Sequence, residues 1–144
     1  FNLKNTKTFA HTFGNFGAGR IGEIKGMSND EFKKFVEYKL NTNSIRTNEY
    51  FDNLKEIKKI AILQGSGTQF IDEILEEVDV FVTGDISHRY LLKADDANIG
   101  LLQVGHITTE IPGMKKFVEN LNKALNQELE YLYKDFYEWA ISTK

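Results

Sequence analysis

His106 and Glu110 stand four residues apart in the run Gly-His-Ile-Thr-Thr-Glu at 105–110. If a helix begins near Thr108, Glu110 lies in its first turn and His106 just before it, so the two side chains can converge on one point. A neutral imidazole and a carboxylate together suit a borderline or hard divalent cation. A His-x-x-x-Glu spacing arises easily in a chain with 21 acidic residues, and taken alone it is more often a surface pair than a metal site. Its weight comes from its position. The apolar run 99–104 delivers Gly105-His106, and a second apolar run, 78–82, delivers Gly84-Asp85. Asp85 either orients a ligand, acts as a base, or caps the helix that follows it. Asp79 reads as a turn acid ahead of its strand.

Two buried strands joined by a helix-length crossover form a βαβ unit with parallel strands and a right-handed connection. In open α/β sheets, ligands gather beyond the carboxyl ends of the strands. Gly84-Asp85 and Gly105-His106 both fall at such ends. The crossover helix is expected over 87–97, with His88 in its first turn as a surface or capping histidine; His11 carries still less signal. A third strand, 57–63, runs into Gly65-Ser66-Gly67 and then a helix expected over 68–78. A strand, a Gly-x-Gly turn and a helix invite a dinucleotide reading, but Phe70 stands where the third glycine of that fingerprint belongs. A tight turn packing helix on strand explains both glycines without an organic cofactor, and the turn can wall the site around Asp85 and His106.

The remaining segments follow from local signals. Glycines 14, 17, 19 and 22 mark a turn leading into a strand at 20–24. Ser28 and Glu31 form a capping box ahead of an apolar face of Phe32, Phe35, Val36 and Leu40, which predicts a helix over 28–40. A short strand is expected at 44–47, a helix over 108–126 with Pro112 in or just after its first turn, and a strand at 128–133. Residues 1–14 read as a ragged or edge segment. The expected fold is α/β, with a mixed, largely parallel sheet flanked by helices and built on βαβ units, in a single unit over 1–144.

Composition narrows the function classes. The chain has 144 residues, 41% of them hydrophobic, enough to bury a core. Net charge is −3, and no basic stripe with interleaved aromatics appears, so nucleic-acid binding has no electrostatic footprint. Cysteine is absent, which leaves no disulfide framework and no thiolate zinc site. No apolar run approaches the roughly 18 residues of a membrane span. A cytoplasmic protein without membrane partners is expected.

Four motifs occur in order: GAGRIGEI at 17–24, KKIAILQGSG at 58–67, DVFVTGDI at 79–86 and GHITTEIPG at 105–113. The series resembles the C-terminal half of the Nif-three-like dinuclear metal-centre family, whose members carry the label GTP cyclohydrolase type 2 homologue. The resemblance covers residues 15–134. It implies a site for two divalent ions (zinc, iron, manganese or similar), held by a His-His pair and an Asp from the N-terminal half and by the His and Glu of the last motif. Those last two map onto His106 and Glu110. The N-terminal half has no counterpart here, so the chain is expected to be a C-terminal portion of a larger protein, with an incomplete metal centre. The family often has a histidine shortly after the TGDI motif; Arg89 holds that position here, beside His88. The resemblance further implies a homo-oligomer, a hexameric ring with its metals facing inward, and a small-molecule substrate.

Two functional readings remain. One is a metal-dependent hydrolase of a nucleotide or phosphate-containing substrate, with His106 and Glu110 as metal ligands and no catalytic residue assigned. The alternative is a non-catalytic metal-binding assembly or regulatory module, which needs the same ligands but no substrate pocket.

Overall fold

A computed structural model describes residues 1–126 and 128. Its centre is a six-stranded sheet in the order β1-β2-β4-β5-β6-β3. The strands are β1 (Lys4–Phe13), β2 (Phe16–Met27), β3 (Arg46–Thr47), β4 (Ile57–Ser66), β5 (Val80–Asp85) and β6 (Gly100–Gln103). The sheet is mixed, as expected. β4, β5 and β6 run parallel, while β1 and β2 on one side and β3 on the other pair antiparallel.

The central strands are apolar on both faces because both faces are covered. Val80, Val82 and Leu102 join Phe32, Val36 and Phe51 in one core cluster. Phe81 and Leu101, pointing the other way, join Ile71, Ile74 and Ala94 in the second. The two-residue period of a strand thus sends neighbours Leu101 and Leu102 into different cores. β1 lies at the sheet edge, held to β2 by a tight turn at Gly14.

Helix α1 (Asn29–Leu40) has the expected capping box: Ser28 accepts from the Glu31 amide, and the Glu31 carboxylate accepts from the Ser28 amide. Helix α2 (Glu49–Asn53) was not expected from the sequence. Its Asn48 cap is 3% exposed and fully engaged. The Asn48 side-chain oxygen accepts from the amides of Phe51 and Leu101, and its nitrogen donates to the Ile99 carbonyl and to Asp95. Helix α3 (His88–Asp96) is the β5–β6 crossover, and α4 (His106–Leu125) follows β6.

Three expectations are corrected. The segment 68–78 is not an α-helix but a 3₁₀ helix, Thr68–Glu73, followed by turns. Ile71 and Ile74 are both fully buried, and an i, i+3 spacing lies in one line on a 3₁₀ helix. Glu76, at a φ of 62°, ends any helical path. The helix expected from Thr108 starts earlier, at His106, so His106 occupies its first turn and Pro112 its second. β4 continues to Ser66, so the Gly65-Ser66-Gly67 run extends a strand instead of opening an α-helix. The strand expected at 128–133 lies outside the described residues.

The chain divides into two compact units at Glu110/Ile111, with α4 beginning in the first. Among the described residues no helix is long and apolar enough to cross a membrane.

Candidate functional site

The order β4-β5-β6 sets three strand ends side by side, and each contributes one part of the site. β4 carries Gly65 just before its end at Ser66, β5 ends with Gly84-Asp85, and β6 leads through Gly105 into His106. The parallel ladder carries on past the strands, with the Val104 amide donating to the Thr83 carbonyl and the Gly105 amide to the Gly84 carbonyl. Continuing the Thr83–Gln103 register puts Gly105 level with Asp85 and His106 one residue beyond it.

The Asp85 Oδ2 lies 2.6 Å from His106 Nδ1. A carboxylate only accepts, so Nδ1 carries the proton and the Nε2 side of the ring is presented to Glu110. The Nε2 to Glu110 Oε1 distance is 3.2 Å, across one turn of α4. All three side chains are about half exposed, at 46%, 50% and 45% for His106, Asp85 and Glu110. The hydrogen bond to Asp85, reinforced by the negative charge of Glu110, raises the His106 pKa above its ordinary value, against a smaller opposing effect of desolvation.

Two glycines make the convergence possible by lacking a side chain. A Cβ on Gly84 would sit 2.4 Å from the Gly65 carbonyl oxygen and 2.7 Å from the His106 Cα. A Cβ on Gly65, whose φ is +67°, would meet Glu110 Oε1 at 3.0 Å and His106 Nε2 at 3.2 Å. Gly65 does wall the site, as the sequence suggested. Its amide is also tied to α4. Thr109 Oγ1 accepts from Gly65 N at 2.9 Å and donates to the His106 carbonyl at 2.7 Å. Sequence reasoning does not single out Thr109; its only signal is its place inside GHITTE.

His106, Glu110 and Asp85 are thus brought together. His11 lies on exposed β1 and His88 opens α3; neither hydrogen-bonds to this group. Arg89 stacks its guanidinium near the Tyr90 ring, 5.6 Å from its centroid. Asp79 is a turn acid of a specific kind: its Oδ2 accepts from the amides of Lys58 and Lys59 at the start of β4.

The donor set fits part of a metal centre. Two donors bonded to one ion at about 2.0–2.2 Å in tetrahedral geometry stand a little over 3 Å apart, as Nε2 and Oε1 do. A ligating histidine commonly gives its other N–H to a carboxylate, and His106 Nδ1 meets Asp85 Oδ2 in that way. Among the described residues no group of three or more donors surrounds a common point. Asp85 and Glu110 face opposite edges of the same ring, so Asp85 supports the donor pair and does not extend it.

A family model described as Duf34/NIF3 (NGG1p interacting factor 3) matches residues 1–137. The chain is 33% identical over 140 residues to the GTP cyclohydrolase 1 type 2 homolog of Methanocaldococcus jannaschii, covering 94% of this chain and 53% of that protein. It is 32% identical over 135 residues to the protein of the same description from Borreliella burgdorferi, covering 92% and 52%. Among solved structures, reduced HcgD from Methanocaldococcus jannaschii superposes with a TM-score of 0.71 at 29% identity, over 88% of this chain and 49% of that one. The chain spans about half the length of these relatives. With a family model covering nearly all of it, and with the strand ends, glycines and His-Glu pair set out as above, the chain belongs to the Duf34/NIF3 family.

Proposed function

We propose that this chain contributes His106 and Glu110 to a divalent metal centre, with Asp85 as the hydrogen-bond partner that orients His106. The observation that carries this reading is the 3.2 Å separation of Nε2 and Oε1. With Nδ1–H committed to Asp85, a neutral His106 points a lone pair at a carboxylate oxygen. That arrangement repels unless a cation, either a proton or a metal ion, lies between them. The remaining ligands of a two-ion centre come from outside the described residues, from a further segment or a neighbouring copy in a homo-oligomeric, hexameric ring. A cytoplasmic location suits such a protein.

The activity that fits is metal-dependent hydrolysis of a nucleotide or another phosphate-containing small molecule. In a complete centre a divalent ion would supply Lewis acidity and an activated water. This chain's own residues would position it: His106 and Glu110 as donors, Asp85 by fixing the imidazole, Thr109 by pinning the Gly65 turn to α4. A non-catalytic metal-binding module would use the same donors.

Calorimetric titration of Zn²⁺ and Mn²⁺ into the metal-free chain tests the centre. Weak binding is expected, because two donors fall short of the about three protein ligands of a catalytic site. It should disappear in His106→Ala and Glu110→Gln and persist in His88→Ala. Equal binding by His106→Ala and wild type would sink the proposal. Turnover of a phosphate ester in the completed assembly, lost with Glu110→Gln, would separate the hydrolase from the module.

A further inference from the structure

Beside the His106–Asp85 pair the structure holds a cleft of about 270 Å³, lined by Ser44, Arg46, Asp85, Gln103 and Gly105. It lies at the carboxyl end of the parallel strands, where ligands of open α/β sheets collect. β3 is only two residues long, yet it delivers Arg46 directly opposite Gln103 of β6. Side chains so paired share one face of the sheet. The cleft therefore places a guanidinium, a carboxamide and the Ser44 hydroxyl on one wall.

These groups are donors without acceptors. The chain has three arginines, Arg20, Arg46 and Arg89. Arg20 donates to the carbonyls of Gly17 and Gly19, and Arg89 lies by the Tyr90 ring. Among the described residues nothing accepts a hydrogen bond from the Arg46 guanidinium, the Ser44 hydroxyl or the Gln103 carboxamide. The one anion in the wall, Asp85, has an oxygen engaged by His106 at 2.6 Å.

We infer that Arg46, with Gln103 and Ser44, forms an oxyanion subsite that determines specificity for a substrate bearing a phosphoryl or carboxylate group, and that it holds that group beside the Asp85–His106 pair. A planar guanidinium fork matches two oxygens of such a group, and a carboxamide N–H and a hydroxyl can take others. A volume near the lower end of small-molecule sites suits one small anionic group better than a whole nucleotide base. This inference rests on the metal-centre reading for its place in a reaction, but its anion-binding claim stands independently of any metal.

The test uses the chelator-treated chain, with inorganic phosphate and, separately, acetate as probes. Two-dimensional NMR follows the Arg46 Nε–H and the Gln103 side-chain amide. Saturable shifts centred on these groups are expected, and the probe that binds tighter tells phosphoryl from carboxylate. Arg46→Ala should weaken binding by about tenfold or more. Arg46→Lys should recover only part, because an ammonium supplies charge without the fork. Arg46 is exposed and has no partner among the described residues, so both variants should keep the wild-type spectrum elsewhere. Unchanged binding in Arg46→Ala, shifts scattered over surface lysines, or no saturable shift would each overturn the inference. Phosphate binding that depends on Arg46 in a chain that takes up no zinc would uphold the subsite while the metal reading failed. Metal binding lost with His106→Ala alongside Arg46-independent phosphate shifts would do the reverse.

Discussion

The imidazole of His106 has a carboxylate at each ring nitrogen, Asp85 at Nδ1 and Glu110 at Nε2, and its charge state follows from them. Both favour the protonated ring, so in the metal-free chain its titration should fall above the ordinary histidine value of about 6.5. The sign of the linked stability follows. A raised folded pKa contributes stability that is fully present below the unfolded value and is lost as pH rises through the folded one. The effect should be small, because the side chain is about half exposed and screened. NMR titration of the His106 ring proton checks this, and Asp85→Asn should move the midpoint down by removing the largest cause. A midpoint at or below that of an unfolded histidine would refute the geometry. At this scale the sequence is informative about residue type and order only. It names His106, Glu110 and Asp85, but not which edge of the ring each acid takes, because that depends on the register of β5 against β6.

Among the elements, the ones legible in advance carry their signals locally. α1 is announced by Ser28, Glu31 and the spacing of Phe32, Phe35 and Val36, all within one helix. α2 is five residues long and buries a single Phe51, too short to display a period. It exists because Asn48 ties it to β6 and α3, across separations of about fifty residues that no local pattern encodes. Asp95 illustrates the same point. An acid near a helix C-terminus looks misplaced on α3, yet it accepts from Asn48 Nδ2 and from the Tyr50 amide in the first turn of α2. Replacing Asn48 with Ala would strand two buried amides, a carbonyl and one bond to Asp95, and should cost about 3 kcal/mol or more in urea denaturation. A loss below about 0.5 kcal/mol would show that the junction is not load-sharing. Gly84→Ala should also destabilise, by about 1–3 kcal/mol, because the added methyl meets the backbone of Gly65 and His106 and forces the strand ends apart. That variant should lower metal uptake as well, which calorimetry would detect.

For the molecule as a whole, the proposed metal centre requires donors beyond His106 and Glu110, since among the described residues no group of three or more surrounds a common point. The apolar side chains of α4 offer a test of the proposed homo-oligomer. Met114, Phe117 and Leu125 are between 46% and 56% exposed, high for residues of this type on an ordered helix. If they serve the proposed homo-oligomer, Phe117→Asp should shift the chain towards smaller species in sedimentation velocity. An unaltered distribution would remove α4 from the interface.

By itself the sequence determined the α/β class, the central apolar strands, the capped helix α1 and the four ordered motifs that place the chain in its family, because each is written in neighbouring residues or in a short periodic pattern. Tertiary structure alone decided the rest. It chose a 3₁₀ helix over an α-helix at Thr68–Glu73, where i, i+3 burial of Ile71 and Ile74 serves either form until packing selects one. It also set Asp85 against His106 and Thr109 against Gly65, and it brought Arg46 beside Gln103. These contacts join residues 21, 44 and 57 positions apart, and only strand order and register fix which atoms meet across such separations.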